Sequence, residues 1–473
     1  MLRLDGGQAC LWDELLPVEL RRLPEDLAAI DELLGDPGLL APIGAHWDRE
    51  AQQRGRSARG HGRPTIPMQT YVRLMVVKHR YGWGYETLMR EVSDSLHLRR
   101  FCLIGLAEPV PDESTVRKLT RRLGPDTVNE LSRLVIGKAQ RETRFRPRAV
   151  RIDSTVVEAD VRYPNDGGLA ADGVRVLARD GKRLAELADQ PGPSVRDRSR
   201  AVGRRLREIG RTLKRRTGQA KSEVLELTRQ AGGLLAASVR DARNVASKAR
   251  ERARRLNRSG KAKARRKAEK ILAAAERLET FIERSEKVAA QISKRLAGEP
   301  ITDRLVSLFD PDARPIRKGK LGHPNEFGYV SQLAEVTPNT KPGARGFLTP
   351  PATAPGNPGE NQLLPQTVAE LQRLGLSPRE VAVDGGFQTK QTAEALAPLS
   401  PKRVHITGRS PSGSRRTQRR LTRYRVGAEG RISHLKRRHG LRRSRLKGAE
   451  GHQTWTGWAI FTHNVETYHR YAS

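Results

Sequence analysis

Residues 148–157 read RAVRIDSTVV. β-branched and apolar residues dominate the run, and they favour a pleated, half-buried strand. One carboxylate, Asp153, stands in its middle, where an ionised acid is costly unless something compensates its charge. A second apolar run, Val381–Val383, predicts another buried strand and ends at Asp384. Two strand-borne carboxylates in one domain point to a shared compensator. A divalent cation suits them, because hard ions such as Mg²⁺ take carboxylate oxygens, with water and phosphate completing the shell. Two ions bridged in this way hold the attacking and leaving oxygens of an in-line phosphoryl displacement.

Outward from these acids, β-branched runs alternate with helical patterns, the mark of an α/β domain. Leu305–Phe309 is expected to form a short second strand and Phe327–Val336 a third. A Pro/Gly-rich loop is expected from Pro338 to Gly359. A helix carrying Leu364, Val368 and Leu371 then stops at Gly375. Thr389–Ala397 reads as a helix, Val404–Thr407 as a strand, and Arg420–Arg438 as the next helix. On that helix Arg425, Glu429 and Lys436 share one stripe, at about 100° per residue. Ala428, Ile432 and Leu435 lie beside it. The helix thus packs an apolar side on the sheet and presents an acid between two cations: the acid for metal, the cations for DNA phosphates. A plain surface bridge from Arg425 to Glu429 accounts for that pair in isolation. The two strand aspartates turn the reading toward a third metal ligand.

The remaining chain differs in texture. Residues 1–145 read as a helical N-terminal domain for DNA binding or dimerisation, 146–180 as the first part of the catalytic domain, 181–298 as a basic helical insertion, and 299–473 as its second part. Met68, Tyr71, Val72, Met75 and Val76 fall at helical spacing. Gly82 and Gly84 interrupt that helix, and Tyr85, Leu88, Met89 and Val92 resume it. Asp112 and Ser114 are N-cap candidates for a further helix, whose face of Arg117, Lys118, Arg121 and Arg122 suits either DNA or solvent. Between Pro193 and Pro300 there is no proline. Leu278, Phe281, Ile282, Val288, Ile292 and Leu296 keep a helical stripe there, as do Leu206, Ile209 and Leu213. Two to four long basic helices are expected, broken at Gly232-Gly233 and Ser259-Gly260. The alternative is a partly disordered basic segment, since 261–267 (KAKARRK) has little to bury.

The chain has 473 residues, with 89 Lys+Arg against 53 Asp+Glu and a formal net charge of +36. Such an excess asks for a polyanion, nucleic acid first. A membrane partner is not expected, because no window approaches the ~18 apolar residues that a span needs. The opening MLRLDGGQACLWDELLPVEL is too acidic and broken for a signal peptide. Cys10 and Cys102 are the only cysteines. They exclude a disulfide framework or a cysteine zinc site and fit a reducing compartment. His434 and His439 lack the i, i+4 spacing and acidic partner of a metalloprotease helix, so no histidine metal site is expected. Asp160, Asp166, Asp172, Asp310 and Asp312 compete as metal ligands, Asp310 foremost, although loop aspartates are mostly turn formers. His323 and His405 read as structural histidines.

Several motifs in order resemble a known family. Ile152-Asp153-Ser154-Thr155 resembles a first-aspartate strand, followed by Tyr163-Pro164-Asn165-Asp166. Val383-Asp384-Gly385-Gly386-Phe387 resembles the second-aspartate turn. Arg425, Glu429 and Lys436 match the spacing R-x3-E-x6-K. Lys320–Tyr329 (KLGHPNEFGY), Gly84-Tyr85-Glu86 and Pro111-Asp112-Glu113-Ser114-Thr115 agree. Together they resemble bacterial insertion-sequence transposases of the DDE superfamily, close to the ISNCY type, over most of the chain outside 181–298. Where the family usually has a tyrosine three residues before the arginine, this chain has Thr422, with Tyr424 adjacent to Arg425.

The resemblance implies an α/β fold: a ribonuclease H-like mixed sheet flanked by helices, an all-α N-terminal domain, and a long helical insertion after the first strand. It implies Asp153, Asp384 and Glu429 as catalytic metal ligands for Mg²⁺ or Mn²⁺, as two ions. Arg425, Lys436, Arg117, Lys118, Arg121 and Lys320 are the expected DNA contacts. The N-terminal helices and the insertion would grip the ends of a mobile element as a homodimer on DNA. Metal-activated water would hydrolyse a phosphodiester, and the freed 3′-hydroxyl would attack target DNA at the same site. The place of action would be the bacterial cytoplasm, at the nucleoid. A nuclease of the same fold that never joins, and a non-catalytic DNA-binding protein descended from a transposase, share the charge pattern. Only the enzymatic readings account for acids placed within hydrophobic strands.

Overall fold

The first strand, β1 (Ala149–Ala159), lies at the centre of the sheet. The computed structural model describes residues 1–6, 15–53, 55, 64–190, 194–215, 217–320, 323–409 and 413–472. Its chain forms two compact units, Met1–Asp160 with Ile316–Ser473, and Val161–Pro315.

In the first unit, helices α1 (Glu25–Leu34), α2 (Ala41–Gln53), α3 (Met68–Tyr81), α4 (Tyr85–Asp94), α5 (Leu96–Phe101) and α6 (Glu113–Glu142) precede β1. Gly82 ends α3 in the left-handed conformation, which L side chains resist. Asp112 caps α6 by accepting the Ser114 backbone N–H. Beyond β1 come β2 (Arg314–Lys320), β3 (His323–Thr337), β4 (Phe347–Leu348), β5 (Ala352–Pro355), β6 (Glu380–Val383), β7 (Arg403–Ile406) and β8 (Arg443–Ser444). The sheet runs β2-β3-β1-β6-β7, with β4 and β5 also paired to β3 and β8 to β1. β1 is antiparallel to β3 and parallel to β6, and β7 is parallel to β6. This mixed sheet behind an all-helical N-terminal region is the expected ribonuclease H-like α/β fold.

Alternation along β1 sends its two sets of side chains into different layers. Val150 and Ile152 pack with Leu364, Val368 and Leu371 of α11 (Glu360–Arg373). Ala149 packs with Leu421 and Tyr424 of α13 (Arg415–Arg438), and Val157 with Leu435 of that helix. Between α11 and α13 lies α12 (Thr389–Leu396), joining β6 to β7. A last helix, α14 (Gly448–Ala472), packs on α6 and α3. It is buried on nearly all sides, so no single apolar stripe announces it.

The second unit holds α7 (Asp166–Leu187), α8 (Ser199–Thr212), α9 (Gly218–Arg258) and α10 (Ala262–Leu296). α9 and α10 are antiparallel, as the ion pairs Arg243–Glu286 and Arg250–Glu279 require. They meet along a seam of Ala231, Ala242, Ala246, Ala249, Ala253, Ala268 and Ala275.

Several expectations are corrected here. Leu305–Phe309 forms no strand: Leu305 and Leu308 face the helical core of the second unit, and the Gln291 side-chain amide serves the Leu305 backbone in place of a strand partner. Gly232-Gly233 does not break a helix. It lies inside α9, where a Cβ on Gly232 would come within 3.2 Å of Ile292 on α10, so the residue serves close helix approach. Ser259-Gly260 is the true break, with Gly260 at positive φ. The loop 338–359 contains β4 and β5. The two compact units divide at 160/161 and 315/316, with α7 packed into the helical core of the second. No described helix is long and apolar enough to cross a membrane.

Candidate active site

Strand register brings the two aspartates together. β1 and β6 run parallel, with Ile152 beside Val383. One step further along each chain stand Asp153 and Asp384. α13 crosses the same face and adds Arg425 and Glu429, one helical turn apart. The Arg425 guanidinium gathers all three acids, at 3.5 Å from Asp153 Oδ2, 2.9 Å from Asp384 Oδ1 and 2.6 Å from Glu429 Oε1. Arg425 is buried, with its side chain 10 % exposed, whereas Glu429 is 60 % exposed. The site therefore opens toward solvent on the Glu429 side.

A fourth acid belongs to this site. Glu360 begins α11 and accepts a short hydrogen bond from the Ser154 hydroxyl. Ser154 also donates its backbone N–H to Asp153 Oδ1 at 2.9 Å. The Glu360 backbone is fixed by Gln332, which Thr367 orients in turn. Burial pushes the Asp153 carboxyl up to about 6; Arg425 and the Ser154 N–H oppose the rise, and the neighbouring Asp384 and Glu360 add to it.

Behind the acids lies a buried charged scaffold. Glu335, the cross-strand partner of Arg151, is 2 % exposed. It accepts from Arg151 at 2.8 and 2.6 Å, from Arg431 at 3.1 and 2.9 Å, and from the Gly346 N–H at 3.0 Å. Arg151 also donates to the Tyr424 carbonyl, joining β1 to α13. The helix passes so closely that a Cβ on Gly427 would lie 1.8 Å from Arg151 Nη1. The Tyr424 ring is buried under Arg151 and its hydroxyl meets Thr337, so it is part of the scaffold and does not face the site's opening. Thr422 Oγ1 lies 3.0 Å from His405 Nε2.

The other expected residues fall elsewhere. Lys436 is half-buried on α13. Arg117, Lys118 and Arg121 are exposed on α6, with Arg117 paired to Glu113. The side chains of Lys320 and His323 lie outside the described residues. Asp166 and Asp172 pair with arginines of the second unit, Asp310 is buried there, and Asp160 stands 4.0 Å from Arg443. The donor set around Arg425, all carboxylate oxygen and centred on a positive charge, fits a hard divalent ion if the guanidinium yields its place. The acids are gathered round Arg425 rather than against one another: among the described residues, the one set of three His, Cys, Asp or Glu ligand atoms within 4.8 Å of each other is His434, His439 and His463.

Residues 28–122 match the family Transposase domain (DUF772), and residues 345–465 match the family Transposase DDE domain. Together the two matches indicate an insertion-sequence DDE transposase. No curated protein and no solved structure matches it. In this transposase the DDE-domain match contains Asp384, Arg425 and Glu429, while Asp153 on β1 lies ahead of it, beyond the inserted unit. The family makes the protein a transposase or nuclease-type enzyme acting on DNA, in a class that generally uses divalent metal ions. Glu360 was missed in the sequence because a helix N-terminus commonly carries an acid for dipole reasons alone.

Proposed function

We propose that this transposase, of the ISNCY type, hydrolyses a phosphodiester at each end of its element and joins the freed 3′-hydroxyl to target DNA. The observation that carries the reading is the convergence of Asp153, Asp384 and Glu429 on one guanidinium. Mg²⁺ or Mn²⁺, as two ions held by these acids, would supply the charge that stabilises an in-line displacement. The chain's own residues position the components. Ser154 and Glu360 hold Asp153 in place from the α11 side. Arg425 balances the acids' charge until DNA and metal arrive. Lys436 and Lys320 would take DNA phosphates, as would Arg117, Lys118 and Arg121 on the N-terminal domain. The protein acts as a homodimer on DNA, in the cytoplasm at the nucleoid. Phosphoryl transfer of this kind needs position and charge, with no covalent protein–DNA link.

The test is incubation with duplex carrying the element's terminal repeats and Mn²⁺, with products mapped to the nucleotide. Nicks at the element boundary, followed by joining of pre-cut ends to a second duplex, are expected. Nicks without joining would reduce the protein to a nuclease; neither product would leave a DNA-binding protein alone.

The inserted unit gives a second test. Lys261, Lys263, Arg265 and Arg266 are exposed at the start of α10, beside the α9–α10 turn. If all four touch phosphates, changing them to Gln should lower the slope of log K against log salt by about 3–4, at ~0.9 per phosphate contact. An unchanged slope would exclude this tip from the DNA interface.

A further inference from the structure

A second group of ligands lies on α13 beyond Glu429. His434 lies near the end of that helix and His439 caps it, while His463 sits on α14. One nitrogen from each ring lies within 4.8 Å of the others. His439 Nε2 is 3.3 Å from His434 Nε2 and 3.6 Å from Glu466 Oε2. We propose that His434, His439 and His463 form a site for Zn²⁺ or a similar borderline divalent metal, with the fourth position left to water or to Glu466 beside His439, fastening the helix of the third acid to α14.

The spacing supports it. Zinc–nitrogen bonds of about 2.0–2.1 Å in a tetrahedron set ligand atoms roughly 3.3 Å apart. Three imidazoles are a zinc-type donor set, unlike the hard all-oxygen set at Arg425. Arg431, Arg438, Arg345, Arg470 and Arg80 lie near the rings and oppose a metal ion, but two are already engaged: Arg431 pairs with Glu335 at 2.9 Å, and Arg80 with Glu466 Oε1 at 3.0 Å and Asp26 at 2.5 Å. Outer contacts fix the ligands. His463 Nε2 lies 3.3 Å from both the Gly346 carbonyl and Thr467 Oγ1, and His79 donates from Nδ1 to the His439 carbonyl at 3.2 Å. Such contacts orient metal-binding rings. Through His79 the clamp reaches α3, so it ties the third-acid helix to the N-terminal helical region within the same unit.

A hydrogen-bonded histidine pair is the competing explanation. Two neutral rings share one N–H, however, and that does not account for a third ring with a nitrogen within 4.8 Å of both. The inference does not rest on the DNA-cutting reading, and its test uses no DNA. Full-length protein, stripped with chelator and dialysed, is titrated with Co²⁺. One Co²⁺ per chain with the intense visible absorption of a four-coordinate site is expected, displaced by one Zn²⁺ but not by excess Mg²⁺. His434→Gln, at a half-buried position, should weaken binding by roughly a hundredfold or more, and Asp153→Asn should leave it intact. Absence of the visible band from wild-type protein, or a band unaltered in His434→Gln and His463→Gln, would overturn the proposal.

Discussion

Replacing Asp153 with Asn is expected to abolish strand cleavage while end-containing duplex still binds. The loss should be roughly a thousandfold or more, as for groups that act as one unit in catalysis. The same change should stabilise the metal-free protein at neutral pH. In the folded chain, burial raises the Asp153 carboxyl from 3.8 to about 6. A raised value means that the folded state holds the proton more tightly than the unfolded one. That stability is fully present below about pH 3.8 and is lost as pH rises through 6. Asn keeps the neutral shape at every pH. Its advantage should therefore be near zero at pH 3 and approach about 3 kcal/mol above pH 6, from a shift of about two pKa units at 1.36 kcal/mol each. Denaturant unfolding in chelator at pH 3.5 and 7.5 reads the difference, and saturating Mn²⁺ should reverse it by stabilising only the wild type. A variant no more stable than wild type at pH 7.5 would show that the acid is not held in an unfavourable setting.

Removal of the Glu335 carboxylate should be among the most damaging single changes to the first unit. Arg151 and Arg431 both point at it, with side chains 4 % and 10 % exposed. Glu335→Ala leaves two largely buried guanidiniums without their counter-charge and the Gly346 N–H without its acceptor. Breaking a buried pair in this way costs about 3–5 kcal/mol. Arg151→Met alone should cost less, since Arg431 still neutralises Glu335. Urea midpoints of the two variants give the comparison; equal losses would mean that Arg431 contributes nothing. Because Arg151 also holds the Tyr424 carbonyl, the cleavage rate should fall with stability in both variants.

How much of this was legible in the sequence varies with the interaction. β1 and β6 were legible because an acid inside a β-branched run is rare enough to carry meaning. That their ends are neighbours is a matter of register, which no local pattern encodes. In isolation Arg425 and Glu429 read as a surface pair, and only the two strand aspartates turned Glu429 toward metal; that Arg425 itself reaches all three acids is not encoded in an i, i+4 spacing. A five-residue apolar run such as Leu305–Phe309 does not reveal what it packs against, and here helices of the inserted unit replaced the expected sheet partner. Gly232-Gly233 was read as a break because glycine costs helix stability, although the same absence of a side chain allows α9 and α10 to close. The histidine cluster was missed because His463 and Glu466 come from another helix, more than twenty positions away from His439.

The most direct measurement is anomalous diffraction from Mn²⁺-soaked crystals of the protein bound to its end DNA. The account predicts Mn²⁺ peaks within bonding distance of carboxylate oxygens of Asp153, Asp384 and Glu429, with the Arg425 guanidinium displaced from among them. Mn²⁺ bound elsewhere, in a preparation that cleaves the same DNA, would contradict it.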